Sequence, residues 1–255
     1  MSLKEKLLSG QKIYGTMLRI VRNPAVAYLA KNGGLDFVMY DCEHSNYDME
    51  TLHDLFMQGN ALGLDSFLRV PELSKAYISR ALDQGAHGVM VPMLETTEMA
   101  MNHVKYSKYQ PIGGRGFSGG IGHADYRLGG KTHAEIMEQA NNTVVTIAQI
   151  ETKLSVENAE AIAAIPGIDA LLIGPNDLSI SLGVPGDLFN KIELDAIAHV
   201  AAACKKNNKA FGLHAGAKLL EKFIKDIDIV MMQGDTEILT NGFTNIKETC
   251  VNLSK

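Results

Sequence analysis

Short apolar runs and amphipathic stretches alternate along the chain. Eight apolar or β-branched runs have the length of a buried strand, at residues 13–18, 35–40, 66–70, 88–93, 143–150, 170–173, 210–213 and 227–232. Between them, apolar positions recur with helical spacing at residues 49–61, 75–84, 96–106, 155–164, 193–207 and 218–225. Strands that alternate with helices form right-handed βαβ units, so the pattern predicts an α/β fold. Eight such units predict a closed (β/α)₈ TIM barrel.

An open, doubly wound sheet is the alternative architecture. It normally carries a glycine-rich phosphate loop after its first strand, whereas the first strand here is followed by RIVRNP at 19–24. Residues 114–119 match the pattern GxGxxG, but no buried strand precedes them and no helix opens directly after them. This context argues against a dinucleotide site.

The connection at 94–142 is too long for a single helix and contains the glycine-rich run GGRGFSGGIGH at 113–123. Long loops in compact domains are usually functional. We therefore interpret residues 108–130 as an active-site loop within a single domain that spans 1–255. In this interpretation Arg115 is available to an anionic substrate.

Composition narrows the possible partners. The chain of 255 residues has a formal net charge of −5, which argues against a nucleic acid or an anionic membrane as partner. Three cysteines show no CxxC spacing, so neither a zinc site nor a disulfide framework is indicated, and a cytoplasmic location is expected. No apolar stretch approaches the roughly 18 residues of a membrane span, and no signal peptide is apparent.

Polar side chains follow most of the predicted strands, and (β/α)₈ enzymes build their active sites at the carboxyl ends of strands. The run DALLIGPNDLS at 169–179 shows this most sharply, because a Gly-Pro break separates its apolar strand from Asn176 and Asp177. No lysine lies at a predicted strand end, which disfavours a Schiff-base mechanism. The candidates are Asp41, Glu43 and His44 after the second strand, Arg69 on the third, Gln149 and Glu151 on the fifth, Asn176 and Asp177 on the sixth, His214 on the seventh, and Gln233 and Asp235 on the eighth.

Glu151 and Asp177 follow neighbouring strands, and two carboxylates at adjacent strand ends can share one hard divalent ion. The alternative is that each carboxylate caps the helix after it. One carboxylate alone would favour capping. Two at adjacent strand ends favour a metal site.

Two further hypotheses concern proton transfer and anion binding. Asp41 lies three residues before His44, a spacing that suits a carboxylate orienting an imidazole that shuttles a proton. Cys42, between them, is interpreted as a packing residue.

Arg69 ends an apolar strand, where it either stabilises an oxyanion or forms a structural salt bridge to Asp41 or Glu43. His214 and Gln233 either line the pocket or fill a layer of the barrel.

Six segments, in this order and spacing, resemble the metal-dependent pyruvate aldolases often called HpcH/HpaI aldolases: LDFVMYDCEH, FLRVP, GAHGVMVPMLET, GGRGF, AQIET and PGIDALLIGPNDLS. The resemblance implies a (β/α)₈ barrel of the phosphoenolpyruvate/pyruvate-binding type. It also implies that Glu151 and Asp177 bind a divalent ion (Mg²⁺, Mn²⁺ or Co²⁺), which a 2-oxo acid chelates. The resemblance assigns substrate binding to Gln149, Gly174, Pro175 and the backbone of Asn176 and Asp177, the enolate oxygen to Arg69, and proton transfer to His44 with Asp41.

The activity implied is reversible cleavage of a 4-hydroxy-2-oxo acid to pyruvate and an aldehyde. Family members usually carry arginine where this chain has His123 and a small residue where it has Gln233, so the aldehyde is expected to differ from the family's usual one. The family also forms homo-oligomers, commonly hexamers built as trimers of dimers, in which residues 236–253 would exchange between subunits. The alternatives are a citrate-lyase-like enzyme acting on CoA thioesters and a non-catalytic 2-oxo acid binding protein.

Overall fold

The computed structural model describes residues 2–124, 126–127 and 129–254. Within them, eight parallel strands pair in chain order and the last pairs with the first, which confirms the predicted closed barrel. All eight predicted strands are present, with ends shifted by a few residues. The strands are β1 (Ile13–Leu18), β2 (Phe37–Asp41), β3 (Asp65–Arg69), β4 (Gly88–Val91), β5 (Val145–Ile150), β6 (Ala170–Ile173), β7 (Ala210–His214) and β8 (Ile229–Gly234).

Helices cover the outside of the barrel. The predicted helix at 155–164 is two short helices that meet at Asn158. The helix that starts at Pro175 was not predicted, because its seven residues are too few to show a helical period. The described helices are α1 (Leu3–Leu8), α2 (Val26–Asn32), α3 (Met49–Leu62), α4 (Lys75–Asp83), α5 (Thr97–Ser107), α6 (His133–Thr143), α7 (Lys153–Glu157), α8 (Ala159–Ala163), α9 (Pro175–Ser181), α10 (Lys191–Lys206), α11 (Ala217–Phe223) and α12 (Asp235–Leu253). Among the described helices, none is long and apolar enough to cross a lipid bilayer.

Two hydrophobic cores stabilise this architecture. The larger lies between the strands and the helices, and the smaller fills the inside of the barrel with side chains such as Phe37, Met39 and Phe67. Gly15 of β1 faces the ring of Phe37, where an added Cβ would overlap the ring. Large and small residues on neighbouring strands therefore fit each other, as close packing inside a barrel requires.

The inside of the barrel changes from apolar to polar at the carboxyl ends of the strands. Successive strand residues point to opposite faces, so Asp41 shares the inward face of Met39, and Arg69 shares that of Phe67. A buried apolar layer thus supports a polar layer directly above it. The same spacing of two residues places Gln149 above Ile147 on β5 and His214 above Gly212 on β7. On β8 the pairing register with β1 shifts after Met231, and Gln233 adopts a left-handed φ of 58°.

Candidate active site

A cavity of about 460 Å³ opens at the carboxyl ends of the strands. We call it the mouth cavity. Its size lies in the range of small-molecule sites. It is lined by Met17, Arg19, His44, Arg69, Met90, Gln149, Leu172, Gly174, Pro175, Asn176, Asp177, His214, Ala215, Gly216, Gln233, Gly234 and Glu237.

Asp41 and Arg69 form a buried, bidentate ion pair at the base of this cavity. Arg69 donates from Nε and Nη2 to the two carboxylate oxygens of Asp41 at 2.9 and 2.7 Å. Arg19 donates from Nε to the same carboxylate at 3.1 Å. Burial opposes the charge of Asp41, but the hydrogen bonds and charge of Arg69 outweigh it and hold the pKa of that carboxyl below its usual range. Asp41 therefore fixes the position of Arg69.

His44 is not oriented by Asp41 in the way that the sequence predicted. Its backbone amide, not its ring, donates to Asp41, at 3.4 Å. The ring is exposed, and its Nε2 lies 3.7 Å from the carboxylate of Glu43. The reason is that both oxygens of Asp41 are already engaged by the two arginines and by the backbone of the turn. Arg69 also pairs with Glu43 at 2.8 Å, so both salt bridges left open by the sequence are formed.

Glu151 is a buried carboxylate without an ion-pair partner among the described residues. It is 1% exposed, and its two oxygens accept hydrogen bonds from the Met93 backbone amide at 2.7 Å and from Gln149 Nε2 at 2.5 Å. Burial above all, with the nearby charges of Glu43 and Asp177, raises its pKa to about 7 despite the Met93 amide and Arg69. A perturbed carboxyl group lying at the carboxyl end of a strand is typical of a functional site.

The backbone around Glu151 is shaped to hold this carboxylate. A Cβ added to Gly174 would lie 2.5 Å from Glu151 Oε2 and 2.7 Å from Gln149 Nε2, so a side chain at position 174 cannot fit without displacing them. Met93 adopts a left-handed φ of 47°, which non-glycine residues rarely occupy, and its amide points at Glu151. Nothing in the sequence distinguishes Met93, and this contact was not predicted.

The side-chain oxygen atoms of Glu151, Gln149 and Asp177, which we call the Glu151 corner, fit a hard divalent cation. Gln149 Oε1 is buried without a hydrogen-bond partner in the described part of the chain, and the Glu151 carboxylate lacks a cation. Asp177 adds a second carboxylate from the first turn of α9. The described residues contain no group of three or more His, Cys, Asp or Glu side chains that would enclose an ion. An open set with two carboxylates matches magnesium-like ions, which keep several positions for water and substrate.

The opposite wall contains residues that the sequence indicated weakly or not at all. His214 Nε2 hydrogen-bonds to the Gln233 carbonyl oxygen at 2.8 Å, so this nitrogen is the donor and Nδ1 is free to accept. Burial, with the charges of Arg19 and Arg69, lowers the pKa of His214. Arg19 and Glu237 were missed. The strand-end rule applies to Arg19 as well, since it directly follows β1.

Arg115 is not brought to the mouth cavity. Its Nη2 pairs with Asp83 at 2.5 Å, and its guanidinium lies 4.7 Å from the centre of the Tyr109 ring. Asp83 ends α4, which runs back from the mouth, so Arg115 lies at the amino ends of the strands. There it lines a second cavity, of about 580 Å³, together with His123. Neither Arg115 nor His123 therefore lines the mouth cavity of this chain, and their roles towards the substrate stay predictions. Asp125 and Leu128 of the predicted loop lie outside the described residues.

Comparison with known proteins agrees with this geometry. A family model described as HpcH/HpaI aldolase/citrate lyase matches residues 19–236. A 4-hydroxy-4-methyl-2-oxoglutarate aldolase from Hapsidospora irregularis is 33% identical over 248 residues, covering 94% of this chain and 91% of the relative. A 4-hydroxy-2-oxovalerate aldolase from Novosphingobium aromaticivorans is 36% identical over 249 residues, covering 94% and 87%.

The fold comparison points the same way. The crystal structure of an HpcH/HpaI aldolase from Desulfitobacterium hafniense superimposes with a TM-score of 0.93 at 30% sequence identity, covering 98% of this chain and 96% of the other. The family model covers most of the chain, including β2 to β8 and every residue of the Glu151 corner. This chain therefore belongs to the HpcH/HpaI aldolase/citrate lyase family.

Proposed function

We propose that this chain is a divalent-metal-dependent aldolase that reversibly cleaves a 4-hydroxy-2-oxo acid to pyruvate and an aldehyde. The observation that carries the proposal is the buried carboxylate of Glu151, which has no cation partner among the described residues. It contacts Gln149 and lies beside Gly174, and both of these residues line the mouth cavity together with Arg69. The family and the names of the relatives support the same reaction.

Glu151 and Asp177 are the proposed metal ligands, and Mg²⁺, Mn²⁺ or Co²⁺ would suit their oxygen atoms. When bound, the ion supplies positive charge beside the 2-oxo group, which stabilises the negative charge that develops as the C–C bond breaks. Gln149, whose Oε1 is buried and unpartnered in the described structure, completes this side of the site.

The substrate carboxylate is proposed to bind at the start of α9. Gly174, Pro175, Asn176 and Asp177 line the cavity there, and α9 has no side-chain cap. The amides of Asn176 and Asp177 are thus available to an anion. Arg69, held rigid by Asp41, would stabilise the enolate oxygen of the pyruvate half as the bond breaks.

His44 is the proposed proton carrier. Its ring lines the mouth cavity and is 59% exposed, so it can exchange protons with solvent and accept the proton of the 4-hydroxyl group. Asp41 acts on this step only indirectly, through the backbone of the turn that carries His44.

Pyruvate release, measured with and without exhaustive chelation, tests the proposal. We expect turnover of a panel of 4-hydroxy-2-oxo acids in the presence of Mg²⁺ or Mn²⁺ and its loss after chelation. Turnover that survives complete metal removal contradicts the mechanism. Calorimetry separates the alternatives: binding of CoA supports a citrate-lyase-like enzyme, and metal-dependent pyruvate binding without turnover supports a binding protein.

We also propose a cytoplasmic homo-oligomer, a hexamer in its complete form, in which α12 packs against a neighbouring copy. Only Asp235 of α12 is buried, whereas Phe243 and Ile246 are 67% and 61% exposed. Exposed apolar side chains of this size along one helix are typical of an interface. Light scattering on Phe243→Asp should show smaller assemblies than the wild type. An unchanged mass, or a monomeric wild type, contradicts the proposal.

A further inference from the structure

Four charged side chains at the carboxyl ends of β1, β2 and β3 are joined by direct ion pairs. We call them the charge cluster, and they are Arg19, Asp41, Glu43 and Arg69. Asp41 Oδ2 accepts from Arg19 Nε at 3.1 Å and from Arg69 Nη2 at 2.7 Å. Arg69 Nη1 lies 2.8 Å from the carboxylate of Glu43. Two cations therefore face two carboxylates, and the charge cluster is neutral as a whole.

Arg19 supplies the second positive charge of this cluster. Arg69 by itself shares one charge between the carboxylates of Asp41 and Glu43, and its side chain is only 5% exposed, so water screens these pairs weakly. Without Arg19, the three remaining members would be one cation against two anions, beside the cavity that Arg69 lines. A net negative charge at that place opposes the formation of an enolate, which is itself negatively charged.

The two guanidinium groups are held close to each other. Both contact the sulfur atom of Met17, at 3.4 Å from Arg19 Nη2 and 3.8 Å from Arg69 Nη2. Burial opposes the charge of Asp41, but the hydrogen bonds from Arg69 and Arg19 lower the pKa of this carboxyl, so it stays charged between the two cations. Glu237 also lines the cavity, and a hydroxyl group and backbone amides at the start of α12 bond to its carboxylate. Arg19 thus acts on Arg69 through Asp41.

Asp235 holds the backbone segment that carries Arg19. Its carboxylate accepts hydrogen bonds from the amides of Arg19, Ile20 and Val21 at 2.8 to 3.1 Å. The residue is 3% exposed and is the first residue of α12, so the end of the barrel is tied to the turn after β1. The sequence indicates Asp235 as a strand-end candidate, and none of the proposed steps uses it. Its contacts show that it positions this turn.

We propose that Arg19 is a positioning residue that balances the charges of Asp41 and Glu43, so that Arg69 stays available to the enolate oxygen. Asp235 sets the position of Arg19. This inference rests on the proposed aldolase function, because a reaction through an enolate places negative charge beside Arg69. It gives a role to two residues at strand ends that the proposed steps leave unused.

A binding experiment tests the inference without turnover. Oxalate carries a negative charge where pyruvate carries a neutral 2-oxo oxygen, so oxalate resembles the enolate and pyruvate resembles the ground state. Calorimetry with Mg²⁺ should show that Arg19→Met weakens the binding of oxalate about tenfold and that of pyruvate less than about threefold. Asp235→Asn should change this ratio in the same direction by about threefold. Arg22→Met is the matched control, since Arg22 lies on the same turn and donates to the Asn46 carbonyl oxygen, and it should leave the ratio unchanged.

A double-mutant cycle with Glu43 separates charge balance from a purely structural role. Arg19→Met should lower kcat for pyruvate release about tenfold to a hundredfold and change KM less than about threefold, because the charge matters most once the enolate forms. In a Glu43→Gln background, Asp41 alone already balances Arg69, so the same substitution should lower kcat less than about threefold. A structural defect lowers kcat equally in both backgrounds. Arg19→Lys keeps the charge and should retain about a third of the wild-type kcat or more.

The outcomes distinguish this inference from the proposed function. Equal losses of kcat in the two backgrounds, or equal weakening of oxalate and pyruvate binding, overturn the role of Arg19 and leave the aldolase function intact. A wild type that neither binds pyruvate or oxalate with Mg²⁺ nor releases pyruvate refutes the aldolase function itself. Urea unfolding checks that each variant is folded. Asp235→Asn, which keeps Arg19 and one acceptor oxygen, provides the same test if Arg19→Met does not fold.

Discussion

Each end of this barrel contains a buried cluster of charges, and the two clusters differ in how completely their members are paired. At the amino ends of the strands, Lys108 is 1% exposed and lies 3.1 Å from Asp169, which Lys4 approaches to 2.8 Å. Asp169 also accepts from the amide and hydroxyl of Thr146, both at 2.9 Å. At the carboxyl ends, Glu151 has no cation and Gln149 Oε1 has no donor among the described residues.

The difference assigns stability to the amino ends of the strands and the proposed chemistry to their carboxyl ends. The charged groups of the amino-end cluster are satisfied within the protein, which ties the start of the chain and the region after α5 to the barrel. The carboxyl-end cluster leaves atoms unsatisfied, and these atoms can act on a ligand. (β/α)₈ proteins generally keep stabilising residues at the amino ends and catalytic residues at the carboxyl ends.

Lys108 illustrates this division. Burial lowers its pKa to about 7, a property that a Schiff-base lysine requires. However, it lies at the amino ends and its Nζ donates to the carbonyl of Val144. Lys108 therefore has a structural role despite its lowered pKa, because it lies at the amino ends of the strands, away from the mouth cavity.

The largest effect is expected at Glu151. Glu151→Gln should lower the rate of pyruvate formation about a thousandfold or more, because the charge that holds the ion is lost. Glu193→Gln is the matched control, since Glu193 is also fully buried with a pKa raised to about 7 by burial. Glu193 lies at the start of α10, whereas Glu151 contacts Gln149 of the mouth cavity. The control should keep at least half of the activity. A Glu151→Gln enzyme that keeps a tenth of the wild-type rate would contradict the metal site.

The amino-end cluster should affect stability without affecting chemistry. Asp169→Asn leaves Lys108 and Lys4 without their anion and should lower the free energy of unfolding by about 3–5 kcal/mol, measured in urea. Activity per folded molecule should stay at the wild-type level. Lys191→Met, which breaks an exposed pair on α10, should change stability by only a few tenths of a kcal/mol. A loss of activity in folded Asp169→Asn would contradict the prediction that the amino-end cluster contributes to stability and not to activity.

Without metal, the free energy of unfolding of the protein should fall as the pH rises. The pKa of Glu151 is raised from 4.5 to about 7 in the folded protein, so its stabilising contribution is full below 4.5 and is lost as the pH rises through about 7. In the presence of a chelator, the free energy of unfolding, measured in urea, should therefore fall by about 2–3 kcal/mol more for the wild type than for Glu151→Gln between pH 5 and pH 8. Added Mg²⁺ should stabilise the wild type at pH 8 and leave Glu151→Gln unchanged. Equal pH dependence of the two proteins would contradict the environment described for Glu151.

The smallest effect on catalysis is expected from Arg115. Arg115→Met breaks the ion pair with Asp83 and should lower the free energy of unfolding by about 1–2 kcal/mol. Because this pair lies at the amino ends, kcat/KM should stay within about threefold of the wild type. A tenfold loss of kcat/KM in a folded variant would support the prediction that residues 108–130 form an active-site loop.

Much of the site could be predicted because the barrel and its strand ends are encoded locally. Each strand is a short apolar run, and the first polar residue after it falls at the carboxyl end by chain direction alone. This reasoning placed Asp41, Arg69, Glu151 and Asp177 at one end of the barrel. It did not predict the contact between Met93 and Glu151, which depends on a left-handed backbone with no sequence signal.

The sequence by itself determined the barrel, the family and the end of the barrel at which the proposed site lies. Tertiary structure decided the partners: Asp41 holds Arg69 rather than the His44 ring, Arg115 pairs with Asp83, and Arg19 shares the carboxylate of Asp41 with Arg69. The physical reason is that strand periodicity is set by neighbours in the chain. The partner of a charged side chain depends on which other charges the closed barrel brings within a few ångströms.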